Sequence, residues 1–256
     1  MGTYKSEREH EQSRSRTEES SHPAPRSDKH MPVVSMTWLR KCMLIGITLG
    51  LFLIGGSLLL YPSIAQGTRL LSIALLIIAL LCYGGISIIV TWKAGPARQA
   101  ALQEGTRFGI LIGGIWMFHL VLESLIDMGR TASTISSLSI FVLIFLLYGV
   151  TGWRGARTSG RFLLGALAAV WSAMSSFLLL LPFAFLLTYI LMPRLMQILA
   201  TDYEYLHNSL RDLQAYSVYN TLNAGSSHAI ETVIVALLLG SLGAFLGSWR
   251  RQQVHS

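Results

Sequence analysis

From Phe162 to Met192 the chain runs for 31 residues without a charged side chain. A helix needs only about 20 apolar residues to cross the roughly 30 Å hydrocarbon core of a bilayer. Five further apolar runs have the same character, and together they place helices over 42–61, 70–91, 108–127, 134–152, 162–192 and 229–248. In lipid, every backbone N–H and C=O must find its partner inside the protein, which leaves helices or closed barrels, and runs of this length select helices. The expected fold class is all-α: a polytopic bundle of about six transmembrane helices.

Charge supports this reading. Only 13% of residues are charged, about half the roughly 25% of soluble domains. A formal net charge of +7 invites a nucleic-acid partner until its location is traced. Residues 1–37 hold Lys5, Arg8, Arg14, Arg16, Arg26 and Lys29 against Glu7, Glu9, Glu11, Glu18, Glu19 and Asp28, so the excess belongs entirely to the apolar part. With the N-terminus inside, sixteen Lys and Arg fall on the cytoplasmic side, among them Arg40, Lys41, Lys93, Arg98, Arg107, Arg154, Arg157, Arg161, Arg250 and Arg251. Arg69, Arg130, Arg194 and Arg211 fall outside. A Lys/Arg excess marks cytoplasmic loops, so both termini are expected there, in a bacterial cell membrane. The expected partners are the lipid bilayer and either a second copy or a transporter subunit; nucleic acid is not among them.

Residues 1–37 are rich in Ser, Glu, Arg and His and bury too little apolar surface to offset their ordering entropy, so a disordered cytoplasmic tail is expected. No cleavable signal is expected, because the first apolar run follows a long mixed-charge stretch. Met1-Gly2-Thr3-Tyr4-Lys5-Ser6 matches a myristoylation pattern of low specificity. Cys42 and Cys82 lie in or beside apolar runs without metal-ligand spacing, so packing is their expected role; Cys42, beside Arg40 and Lys41, is also placed for acylation.

Trp92-Lys93, Trp153-Arg154 and Trp249-Arg250 close the three helices that return to the cytoplasm. Tryptophan and arginine anchor helix ends at an interface, and the resemblance of Tyr83–Phe108 to Tyr148–Phe162 also fits duplication of a two-helix hairpin, a feature of transporters. The 31-residue run is about 46 Å long as one straight helix, more than a tilted span usually holds. A kink is expected at Pro182, with Phe183–Met192 along or above the outer interface. Helical spacing of Tyr203, Leu206, Leu210 and Leu213 then completes an amphipathic outer cap over about 183–227.

Small residues line single faces: Gly46, Gly50 and Ser57; Gly165, Ala169, Ser172 and Ser176; Ala236, Gly240, Gly243 and Gly247. Close helix packing is their expected purpose. In the third helix, Gly109, Gly113, Trp116, Glu123 and Asp127 share a face, with His119 near its edge. Charge facing lipid is costly, so this face should turn inward. His119 and Glu123, one turn apart near mid-membrane and in the outer half, form a candidate proton-passing or cation-binding pair; a structural ion pair is the plainer alternative. Asp127 follows at the outer interface. Glu231, beside His228 at the outer end of the last helix, is a candidate to join them, although an acid after Ser226-Ser227 also suits a capped helix N-terminus.

No phosphate loop, His-Glu-x-x-His, Cys-x-x-Cys or Gly-x-Ser-x-Gly occurs. No catalytic residue, metal site or cofactor is therefore expected. Ser241, within Gly240-Ser241-Leu242-Gly243, is the nearest approach to a nucleophile. Non-enzymatic passage of a small solute or ion, alone or as a permease-like subunit, is the leading expectation. A scaffold or regulator acting through its tail or cap comes second, and an intramembrane enzyme third.

Overall fold

The computed structural model describes residues 35–92, 94–126, 129–200, 203–207 and 210–253. Residues 1–34 of the tail expected over 1–37, and Asp127, lie outside the described residues; Met36 and Thr37 are already helical. The described residues form helices α1 (Met36–Leu60), α2 (Arg69–Thr91), α3 (Pro96–Leu125), α4 (Gly129–Ser159), α5 (Phe162–Ile190), α6 (Met192–Leu199), α7 (Tyr203–Leu206) and α8 (Leu213–Gln253), with a 3-10 turn at Pro62–Ala65. Six of these, α1–α5 and α8, are long and apolar enough to cross a membrane.

Local chemistry sets their ends. Ser35 caps α1, its hydroxyl accepting from Trp38 N at 3.3 Å, and Gly95 precedes Pro96 at the first turn of α3, where a missing N–H costs nothing. Asp212 Oδ1 accepts from the amides of Gln214 and Ala215 at 2.9 and 3.3 Å and so starts α8 well before residue 229. Ser226, expected as a cap, instead lies inside the helix and donates to Asn223 O at 2.8 Å. Gly160, at φ 72°, ends α4, a left-handed position that glycine takes without a Cβ clash.

Helix α5 is the hub. It is apolar on all sides and packs on α1, α3, α4 and α8. Its serines donate to their own helix: Ser172 to Ala169 O, Ser175 to Trp171 O and Ser176 to Ala173 O, each within 2.9 Å, so their burial leaves no donor open. Small residues form two seams. On α3 and α5, a Cβ built on Gly105 would meet Ala168 O at 2.5 Å, and one on Gly109 would meet Ser175 Cβ at 2.7 Å. On α4 and α8, Cβ atoms on Gly152 and Gly243 would run into the carbonyls of Gly240 and Gly149.

The kink expected at Pro182 does not end the helix. Helix α5 continues through it to Ile190, because residues beyond the proline are held in the bundle: Phe185 is fully buried, Thr188 meets Thr221 of α8 at 2.8 Å, and Tyr189 meets Ser57 of α1 at 3.3 Å. Packing of this kind re-satisfies a proline-freed helix. The chain turns at Leu191 instead, ahead of Pro193 in the first turn of α6. The cap is accordingly shorter than 183–227: its described residues are 191–200, 203–207 and 210–212, while residues 183–190 and 213–227 belong to long helices. Met192 and Leu210 are its buried residues among those described, and Tyr205 donates to Arg211 O at 2.7 Å. Arg194 of α6 donates to Leu125 O at 3.1 Å, placing a cation on the C-terminal carbonyls of α3, where the helix dipole favours it.

Candidate functional site

The inward face expected for α3 is inward: Gly109, Ile112, Gly113, Trp116 and His119 are buried. His119 Nε2 lies 3.4 Å from Glu123 Oε1, with the imidazole side chain 4% exposed and the carboxylate 37%. Ser137 of α4 donates to the same Oε1 at 2.9 Å. The carboxylate therefore sits at the rim of the bundle, tied to α4. Glu231 is exposed on α8 and makes no ion pair among the described residues.

What α3 does meet on α8 is His228. Its ring packs edge-on against Trp116, with centroids 4.7 Å apart, and lies 6.3 Å from Phe177 of α5. Trp116 is the centre of this cluster, with Phe141 of α4 at 5.1 Å and His119 at 5.9 Å on its other sides. Three helices thus meet at one indole, and α5 joins the cluster through the packing of Phe177 on His228.

Above the cluster, toward the cap, a cavity of about 310 Å³ lies between α3, α5, α6 and α8. Trp116, Phe177 and His228 line its deep end, Leu195 and Leu199 of α6 line the cap side, and Asn220, Thr221 and Thr188 supply polar groups along the α5 and α8 walls. No Asp, Glu, Lys or Arg is among the described residues that line it. Its lining, from Trp116 and His228 up to Leu195 and Leu199, puts the cavity in the cap half of the bundle.

Three ring nitrogens of the cluster stand out. Trp116 Nε1, His119 Nδ1 and His228 Nε2 are buried and make no hydrogen bond among the described residues. Trp171, the other buried tryptophan, donates to Thr106 Oγ1 at 2.9 Å, as a buried indole usually does.

No family model, curated protein or solved structure matches the chain.

A second polar cluster lies at the other end. Glu104, only 7% exposed, has Arg107 Nη1 2.9 Å from Oε1 and Arg154 Nε of α4 3.1 Å from Oε2; the latter is an ion-pair contact off the axis of a hydrogen bond. The Arg154 guanidinium also lies over the Phe108 ring, 5.7 Å from its centroid. This triad joins α3 to α4. Its sequence signal was Pro96, which starts the helix twelve residues before the apolar run and makes Glu104 and Arg107 neighbours on one helix.

Proposed function

We propose that this chain is a permease-like membrane protein that passes a small uncharged solute by way of the cap-side cavity, with both termini on the cytoplasmic face. The carrying observation is the lining: a space of about 310 Å³, at the small end of the range for ligand pockets, apolar for most of its wall, with a few hydroxyl and amide groups and no Asp, Glu, Lys or Arg among the described residues that line it. A desolvated ion needs an opposite charge or a full set of polar ligands to offset its lost hydration, and the cavity offers neither. The Lys/Arg distribution supports the orientation.

Shrink–swell light scattering on proteoliposomes tests this with urea, acetamide and glycerol as solutes. Protein-dependent permeability to at least one is expected, and Leu180→Trp, which fills the deep end of the cavity, abolishes it while the protein stays folded and inserted. Permeability equal to empty liposomes for all three, or insensitive to Leu180→Trp, contradicts the reading.

An ion path along His119 and Glu123 predicts a different result. The Glu123 carboxylate is more than a third exposed and lines no part of the cavity, so Glu123→Gln is expected to leave solute permeability within about twofold of the parent, the scale of an exposed ion pair. Its loss in the folded variant would return the function to that pair.

A further inference from the structure

We propose that the groove between α1 and α3 seats one anionic phospholipid, with its acyl chain along α5 and its headgroup against Lys41, at the membrane face where α1 begins. The groove shares no lining residue with the cap-side cavity, and the proposal does not depend on passage through that cavity.

Helices α1 and α3 both pack on α5. Between them a groove of about 440 Å³ runs over Trp171 and Leu178 of α5, with Trp38, Ile45 and Leu49 of α1 on one side and Ile110 of α3 on the other. Trp38 and Leu49 are eleven residues apart, about 16 Å of helix, and the floor from Trp171 to Pro182 runs equally far. That is about half of the roughly 30 Å hydrocarbon core, the share of one leaflet and so of one acyl chain. The polar groups of the floor are already paired. Trp171 Nε1 donates to Thr106 Oγ1, and Thr106 Oγ1 to Leu102 O, both at 2.9 Å. Ser175 Oγ, which also meets Met43 Sδ at 3.6 Å, donates to Trp171 O at 2.8 Å. No Asp, Glu, Lys or Arg is among the described residues that line the groove, so its body suits hydrocarbon.

Hydrocarbon alone does not select an occupant, because every lipid tail is as apolar as the groove. Selection comes from the mouth. Lys41 follows Trp38 by three residues and precedes Ile45 by four, so it stands on their side of α1, and it is exposed. A helical side chain leans toward the helix N-terminus, which takes the ammonium group toward the headgroups while its stem stays on apolar surface. Neither Lys41 nor Arg40 makes an ion pair among the described residues, and α1 contains no Asp or Glu. On α3 the cation next to Thr106, Arg107, is paired with Glu104. Two positive charges without acidic partners, beside an apolar groove one chain long, complement a lipid whose headgroup is net negative. A second copy of the chain fits less well. Packed about a two-fold axis along the membrane normal, it would bring its own Arg40 and Lys41 to this face at the same depth, like charge against like.

Native mass spectrometry of the full chain in a non-ionic detergent, with equal amounts of phosphatidylglycerol and phosphatidylcholine of the same acyl chains, tests the site. The first lipid retained is expected to be phosphatidylglycerol, preferred about fivefold or more, and Lys41→Gln lowers that preference about fivefold, the scale of one cation near an anionic lipid. Cys42 lines the groove, and Cys42→Trp fills it between Trp38 and Ile45 and removes the first adduct. Cys82→Trp, at the other exposed cysteine, leaves it, and all three variants unfold in denaturing detergent as the parent does. Glycerol phosphate, a headgroup without chains, gives no adduct. Equal retention of the two lipids, binding of glycerol phosphate alone, or a preference that survives either Lys41→Gln or Cys42→Trp overturns the site. A dimer that Cys42→Trp dissociates assigns the groove to a second copy and overturns it as well. Solute permeability is read separately, so the two proposals fail independently.

Discussion

Replacing Gly243 by alanine is expected to destabilise the bundle by about 3 kcal/mol or more, the upper range for forcing extra volume into a packed core. A methyl group there runs into the backbone carbonyl of Gly149, and neither helix has a flexible side chain at that point to yield. The two backbones must separate, which also opens the neighbouring approach of Gly152 to Gly240. Gly114→Ala in α3 is the control, because a Cβ there meets nothing within 4 Å; it should leave stability unchanged or raise it by roughly 0.5–1 kcal/mol through helix propensity. Unfolding in mixed micelles by titration with a denaturing detergent measures both. Equal effects of the two substitutions would show that the seam of small residues does not hold α4 to α8.

The second large effect is expected at the opposite end of the bundle. Removing both cations, Arg107→Ala with Arg154→Ala, strands the buried carboxylate of Glu104 and should cost about 3–5 kcal/mol, the usual penalty for an uncompensated buried charge. Either substitution alone costs much less, because one guanidinium remains and both arginine side chains are about half exposed, at 48% and 49%. The diagnostic variant is the triple change that adds Glu104→Met. Removing the stranded charge should restore most of the lost stability, since an apolar side chain of similar volume often replaces a buried ion pair without loss. A triple variant as unstable as the double would place the importance of the arginines elsewhere, for example in the packing of Arg154 on Phe108.

The six spans were legible because each exceeds the length lipid demands, and hydropathy reports that directly. Their ends were less so. Helix α3 begins at Pro96, not 108, and α8 at Leu213, not 229, because a helix that continues past the apolar zone changes its side chains to polar ones without changing its backbone. Gly95-Pro96 and Asp212 were the available signals, a proline in the first turn and an acidic cap. Pro182 was a poor guide to where α5 ends: proline weakens a helix locally, but contacts from Phe185, Thr188 and Tyr189 keep the following turns in the same helix.

At the site, the periodicity of α3 did identify Trp116 and His119 as inward-facing. It also put Glu123 on that face, where the structure finds the carboxylate at the rim beside Ser137. His228 was read as part of a helix start, and its meeting with Trp116 was beyond reach, since 112 residues of sequence separate two rings that touch only because α5 spaces α3 from α8. A cavity is a property of how helices diverge, and no single helix encodes it.

Passage through the cap-side cavity predicts that its deep end opens to each side of the membrane in turn. In a chain with Cys42→Ser and Cys82→Ser, a cysteine placed by Leu180→Cys, which the structure buries at 8% exposure, is reacted with a small membrane-impermeant methanethiosulfonate added to one face or the other. Modification from both faces is the predicted result. Modification from the cap face alone, or from neither, would contradict passage and leave a binding protein with a closed base.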